Sequence, residues 1–203
     1  MNTVKKQVSR ELFLILIPIG IGINLGIGSV VKVLNLPFYL DAIGTILITI
    51  LLGWRAGTIT GVLSFVFMTV LGVGPFHIYF SLTQVAIALS THLFLEVGLL
   101  KRWWTVPVAG VLIGCIAAIV SAPVIVYLFG GVEGNGPGLI TVFLMSTGRT
   151  IYESVVLKGL SIEPLDKTIQ LLVAFFVIAF LSPRLRMHFG GLDKVYKLGE
   201  RGN

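Results

Sequence analysis

Long apolar runs alternate along the chain with short breaks rich in glycine, proline or charge, a rhythm that predicts membrane-crossing helices. The first run, about Leu12 to Val33, is long enough to cross a hydrocarbon layer about 30 Å thick. Asn35-Leu36-Pro37 ends it, because a proline disfavours helical geometry in the residue before it. A second run, Phe38 to Leu52, stops at Gly53-Trp54-Arg55, and a third, Ala56 to Val73, stops at Gly74-Pro75. The fourth covers Phe80 to Leu100 and closes on Lys101-Arg102-Trp103-Trp104. The fifth, Thr105 to Phe129, leads into a turn-rich stretch over 130–138, and the sixth spans Lys167 to Leu181 before Ser182-Pro183-Arg184. The segment Leu139 to Leu160 begins apolar but holds Arg149, Glu153 and Lys158. Those charges predict an amphipathic segment folded over the mouth of the bundle, with a seventh crossing as the rival arrangement. The expected fold class is an all-α membrane protein. It is one domain over 1–203: a bundle of six transmembrane helices, an outer amphipathic segment before the last helix, and a basic tail from about 184 to 203.

Composition strengthens this picture. Of 203 residues, 56% are hydrophobic and 12% charged, with a mean hydropathy of +0.99. A soluble domain carries about 25% charged residues to cover its surface, so lipid is expected to cover this one. The formal charge of +6 would suggest nucleic acid in a soluble protein, but here the basic residues flank apolar runs. Lys5, Lys6, Arg10, Arg55, Lys101, Arg102, Arg184, Arg186, Lys194, Lys197 and Arg201 fall on one side if the N-terminus is cytoplasmic, which is eleven of the fifteen. Lys32, Arg149, Lys158 and Lys167 fall on the other. The positive-inside rule then puts both termini in the cytoplasm, with Trp54, Trp103 and Trp104 at the inner boundary. The first run is too long for a signal-peptide core, and a lone Cys115 excludes an internal disulfide or a cysteine metal cluster.

Two groups of residues stand out within the runs. Gly22/Gly26, Gly57/Gly61, Gly110/Gly114 and Ala118/Ala122 have small-xxx-small spacing, which lets another backbone approach closely. Internal packing explains most such pairs. For Gly22/Gly26 a separate membrane partner is expected, because Gly20, Asn24 and Gly28 form a second stripe on the same helix. Polar groups gather in the outer half. Asp41 precedes Thr45 by one turn, Phe76-His77-Ile78-Tyr79 follows the third run, and Gln84, Ala88, His92 and Glu96 share one helix face. Asp41, Phe76, His77, Tyr79, Gln84, Arg149 and Tyr152 are the candidate lining of a pocket for a small heteroaromatic molecule. His92 either lines it too or bonds a neighbouring helix; Glu96 is expected to reach headgroups or pair with Lys101 or Arg102. There is no P-loop, GxSxG or HExxH motif, and His77, His92 and His188 are scattered in depth. No catalytic residue, metal site or cofactor is expected, and the protein is not read as an enzyme. Nor is there an inverted repeat of the kind that independent carriers use.

Several stretches resemble the substrate-binding S components of energy-coupling-factor (ECF) transporters. These are residues 36–45 (Leu36-Pro37-Phe38-Tyr39-Leu40-Asp41-Ala42-Ile43-Gly44-Thr45), Leu51-Leu52-Gly53-Trp54-Arg55-Ala56-Gly57 with Thr60-Gly61, the outer loop 129–136, and Pro164-Leu165-Asp166-Lys167-Thr168. The resemblance implies a six-helix subunit in a bacterial cytoplasmic (inner) membrane that captures a vitamin-like micronutrient outside. It also implies a membrane-embedded T component and two cytoplasmic ATPases as partners, the first docking on the small residues Gly22 and Gly26. Family pockets differ, so riboflavin, a pyrimidine or thiamine-related compound, a cobalamin precursor and a queuosine precursor remain open; the aromatics around His77 favour a flat heterocycle. The alternative function is a multi-span sensor domain, for which a following coiled coil would be expected in place of the short basic tail.

Overall fold

The computed structural model describes residues 10–74, 76–181, 189 and 192 of the chain. Among them it is all-helical. Seven α-helices follow in order: α1 (Arg10–Val33), α2 (Ile43–Leu52), α3 (Trp54–Val70), α4 (Ser81–Glu96, preceded by the 3₁₀ turn His77–Phe80), α5 (Val106–Phe129), α6 (Gly136–Ser146) and α7 (Ile151–Phe180). Three helical segments, Glu11–Val33, His77–Glu96 and Val106–Phe129, are long and apolar enough to cross a membrane.

α2 is the centre of the bundle. Every residue of it but Leu52 is buried, and α1, α3, α4 and α7 all pack on it. A helix apolar all round needs such a complete coat. Glycine makes the coat tight: a Cβ on Gly44 would stand 2.0 Å from the Gly20 carbonyl oxygen, and one on Gly57 1.8 Å from Thr49 Oγ1. α5 and α7 form the most extensive pair, and Gly110 and Gly114 let them touch. A Cβ on Gly114 would lie 2.4 Å from both the Glu163 carbonyl and Pro164 Cα, and one on Gly110 2.5 Å from Thr168 Cα. Gly57/Gly61, Gly110/Gly114 and Ala118/Ala122 are thus internal contacts. Gly22 and Gly26 are exposed, with nothing within 4 Å of an added Cβ.

Polar side chains tie the helices where apolar packing cannot set their register. Buried Asn24 on α1 donates to Thr45 Oγ1 on α2 and Ser64 Oγ on α3, each at 3.0 Å, and its carbonyl accepts the Gly44 N–H at 2.7 Å. Thr45 in turn donates to Gln84 on α4 at 2.8 Å. Outward, Leu14, Ile15, Leu93, Ile119, Tyr127, Phe176 and Phe180 are all exposed, the exterior expected of a chain solvated by lipid.

The helix boundaries of α1, α4 and α5 lie close to the predicted runs, but two expectations need correction. The second run does not start as helix at Phe38. Residues 38–42 are non-helical, and α2 alone is about 15 Å long, half the thickness of a bilayer core. The last helix does not begin at Lys167. It starts at Ile151 and continues through Pro164 for 30 residues, so 151–160 is part of α7 and only α6 precedes it as a short apolar helix. Thr150 and Glu153 form a capping box that fixes its start: Glu153 N–H donates to Thr150 Oγ1, and Glu153 Oε2 accepts the Thr150 N–H at 3.0 Å. The six-crossing count is therefore not settled by helix lengths. Apart from Phe189 and Leu192, the tail 184–203 lies outside the described residues, including His188, and so do Lys5 and Lys6 near the N-terminus.

Candidate ligand-binding site

A cavity of about 300 Å³ opens at the end of the bundle where α1, α3 and α5 finish and α2 and α4 begin. Its walls combine aromatic rings with ionisable groups. Phe38, Phe65, Phe76, Phe80 and Phe129 supply rings, and Phe129 meets Phe76 edge-on at 5.5 Å and Phe80 stacked at 5.6 Å. His77 packs edge-on against Phe65 at 5.4 Å, with Nδ1 3.1 Å from the Gly74 carbonyl.

The ionisable wall is assembled from several segments: Lys32 on α1, Tyr39 and Asp41 in the linker before α2, His77, Glu133 after α5, and Glu163 and Lys167 on α7. Lys167, almost fully buried, lies 2.6 Å from Asp166, 3.1 Å from Glu163 and 3.7 Å from Asp41. Lys158, equally buried, lies 2.5 Å from Glu133 in the α5–α6 loop and donates to Tyr39 Oη at 3.1 Å. Tyr39 Oη donates to Glu133 at 3.1 Å, which closes a three-membered ring of contacts between linker, loop and helix. Both lysine ammoniums also sit within 6 Å of the Tyr39 ring centroid, at 5.8 and 5.7 Å.

Asp166 shapes the linker itself. Its Oδ1 accepts the backbone N–H groups of Tyr39 and Leu40 at 3.0 and 3.1 Å, and its Oδ2 accepts from Lys167 and Gln170, each at 2.6 Å. Gln170 Oε1 accepts the Ala42 N–H at 2.8 Å. α7 thus satisfies donors at the start of α2 that a helix cannot satisfy internally. Leu40 adopts φ 48°, left-handed backbone that costs a leucine about 1–2 kcal/mol. The carboxylate that holds the linker in this shape also carries Tyr39 and Asp41 to the cavity edge.

Four of the sequence candidates line the cavity: Asp41, Phe76, His77 and Gln84. Gln84 bridges layers, its amide donating to the Asp41 carbonyl at 3.3 Å. The other four lie elsewhere. Tyr79 is exposed and stacks on the outside of Phe76 at 6.5 Å. Arg149 and Tyr152 are exposed around the α6–α7 turn, where Glu153 beside them is spent on the helix cap. His92 is half-buried further along α4, with Nε2 3.8 Å from Glu96, so Glu96 has a partner on its own helix face. No residue of 139–160 lines the cavity; its lid-side contribution is Glu133, Gly134, Asn135 and Gly136.

Sequence reasoning missed Lys32, Tyr39, Glu133, Glu163 and Lys167, all on the cavity wall, together with Lys158 and Asp166 beneath it. The signal was present: Lys158, Glu163, Asp166, Lys167 and Gln170 fall within thirteen residues, and read as helix they form i,i+4 pairs at 163/167 and 166/170. No protein family, curated protein or solved structure matches the chain, so the functional reading rests on its own residues.

Proposed function

We propose that this chain is the substrate-capture subunit of an ECF-type importer, a multi-pass protein of the bacterial cytoplasmic membrane with both termini cytoplasmic. It binds a vitamin-like micronutrient and passes it on with a membrane T component and two ATPases. The observation that carries the reading is the chamber: about 300 Å³, walled by aromatic rings and by charges satisfied within the protein, at one end of a bundle whose exterior is apolar. Ionisable groups at membrane depth are costly unless they face protein or a water-filled cavity, and here they do both. Six crossings, α1 to α5 and α7, fit this reading. The short α2 and its non-helical linker are sheathed by protein, where irregular backbone is tolerated, and α7, about 45 Å long, reaches past the bilayer core. The open Gly22/Gly26 strip supports a second membrane subunit.

Purification from the native membrane, with mass spectrometry of what comes along, tests the proposal. A multi-span protein and ATPase subunits are expected with the wild type and are expected to be lost with Gly22→Leu plus Gly26→Leu. Recovery of the chain joined only to a signalling kinase would establish the sensor reading instead.

A further inference from the structure

Most of the charge around the cavity is answered inside the protein. Lys158 has Glu133 at 2.5 Å and the Tyr39 hydroxyl, and Lys167 has Asp166 at 2.6 Å and Glu163 at 3.1 Å. Two groups on the wall stand apart from those pairs, one of each sign. Lys32, half-buried in the last turn of α1, donates to the Val73 carbonyl, and among the described residues no carboxylate lies within ion-pair distance of it. An ammonium has three donors, and that contact uses one. Asp41, in the linker before α2, meets Lys167 only at 3.7 Å, beyond hydrogen-bond length. Its side chain keeps 16% of its surface accessible, against 9% or less for Glu133, Glu163 and Asp166. Lys32 and Asp41 flank the same side of the chamber. Gly28, one turn before Lys32 on its helix face, lies against Asp41, and an added Cβ there would stand 3.4 Å from Asp41 Cβ. Yet the two charges are not paired with each other. Beside them on the wall, Phe129 packs on both Phe76 and Phe80.

We infer that the ligand is an uncharged flat heterocycle with a cyclic-amide edge. Its carbonyl oxygen accepts from Lys32, its ring N–H donates to Asp41, and its face lies against the phenylalanines. This rests on the capture reading above and narrows it. A carbonyl beside a ring N–H puts an acceptor and a donor on one planar edge, which answers both wall groups at once. A cation would be set beside Lys32 and an anion beside Asp41, each with a like charge for a neighbour. A zwitterion would give up the hydration of two full charges for two partners already partly engaged. The cavity sits at the small end of the range for ligand pockets, about 300–1,000 Å³, which fits one or two fused rings and not a corrinoid.

Probes of nearly one shape separate the possibilities on purified wild-type protein. 2-Quinolone has the carbonyl and the N–H, coumarin keeps the carbonyl but has an oxygen in place of the N–H, and quinoline has neither. Quinaldate and 1-methylquinolinium add an anion and a cation. By calorimetry, 2-quinolone should bind at least about tenfold tighter than any of the other four, because a site built to hydrogen-bond an N–H rejects the analogue that lacks it. Lys32→Met should weaken both 2-quinolone and coumarin, and Asp41→Ala should erase the difference between them, with the thermal midpoint recorded as a check on folding. Coumarin binding as tightly as 2-quinolone, either charged probe binding more tightly, or none of the five binding overturns the inference on the wild type alone, whatever the variants do. Copurification of transport partners is read separately. If partners are present and the amide preference is not, only the ligand class falls; the reverse outcome removes the importer and keeps the site.

Discussion

Asp166→Asn is the sharpest perturbation of the site's architecture. The carboxylate is fully buried and uses both oxygens: Oδ1 takes two linker N–H groups, and Oδ2 takes Lys167 and Gln170. Asparagine keeps one oxygen and replaces the other with a donor. If the oxygen stays with Tyr39 and Leu40, the new NH₂ faces the Lys167 ammonium and the Gln170 amide, two donors with nothing to accept them. If it flips, the two backbone donors are orphaned and Leu40 loses what holds it at φ 48°. Breaking one side of a buried ion pair costs about 3–5 kcal/mol. Lys167 keeps Glu163 and Asp41, so the lower end, about 3 kcal/mol, is expected. For a chain of this length that corresponds to a fall of roughly 6–12 °C in thermal midpoint, measured in one detergent by scanning fluorimetry. Ligand affinity should fall with it, because the linker carries Tyr39 and Asp41 to the cavity. A loss below about 1 kcal/mol would refute the claim that Asp166 organises the linker.

Other substitutions probe the remaining contacts. Lys158→Met should destabilise by about 3–5 kcal/mol by stranding Glu133, and adding Glu133→Gln should recover part of that; additive losses in the double variant would show the pair is not coupled. Gly114→Ala should cost about 1–3 kcal/mol because its Cβ would press on the α7 backbone, whereas Gly22→Ala should change stability by less than about 0.5 kcal/mol, both read as denaturation midpoints. Phe129→Ala should weaken binding of a flat ligand about tenfold while Tyr152→Ala leaves it unchanged in the same titration, and the opposite order would move the site to the α6–α7 turn. In a Cys115→Ala background, an impermeant thiol reagent on intact cells should label cysteine placed at Gly134 but not at Asn2 or Asn203; labelling at either end would invert the proposed orientation. Gly134 is chosen over Asn135, whose side chain caps α6.

Hydropathy and punctuation were enough to determine the all-helical class and the limits of α1, α4 and α5, because lipid solvation is a property of long unbroken apolar stretches. Glycine spacing likewise announced close helix contacts, and Asp41, Phe76, His77 and Gln84 could be named as cavity residues because each is polar or aromatic beside an apolar run. What spacing could not say was which glycines face inward. Gly114 and Gly22 look alike in the sequence, and only the position of α7 makes one of them crowded. Tertiary structure also decided the course of α7. Lys158, Glu163 and Lys167 would break a lone apolar helix, and they are tolerated because Glu133 and Asp41 reach them from segments 25 and 126 residues earlier in the chain. The short α2 has the same origin: its first turn is capped by Asn24 and Gln170, on helices that the local sequence does not contain. Charge compensation at a distance is invisible to any local pattern, and in this protein it also builds the wall of the cavity.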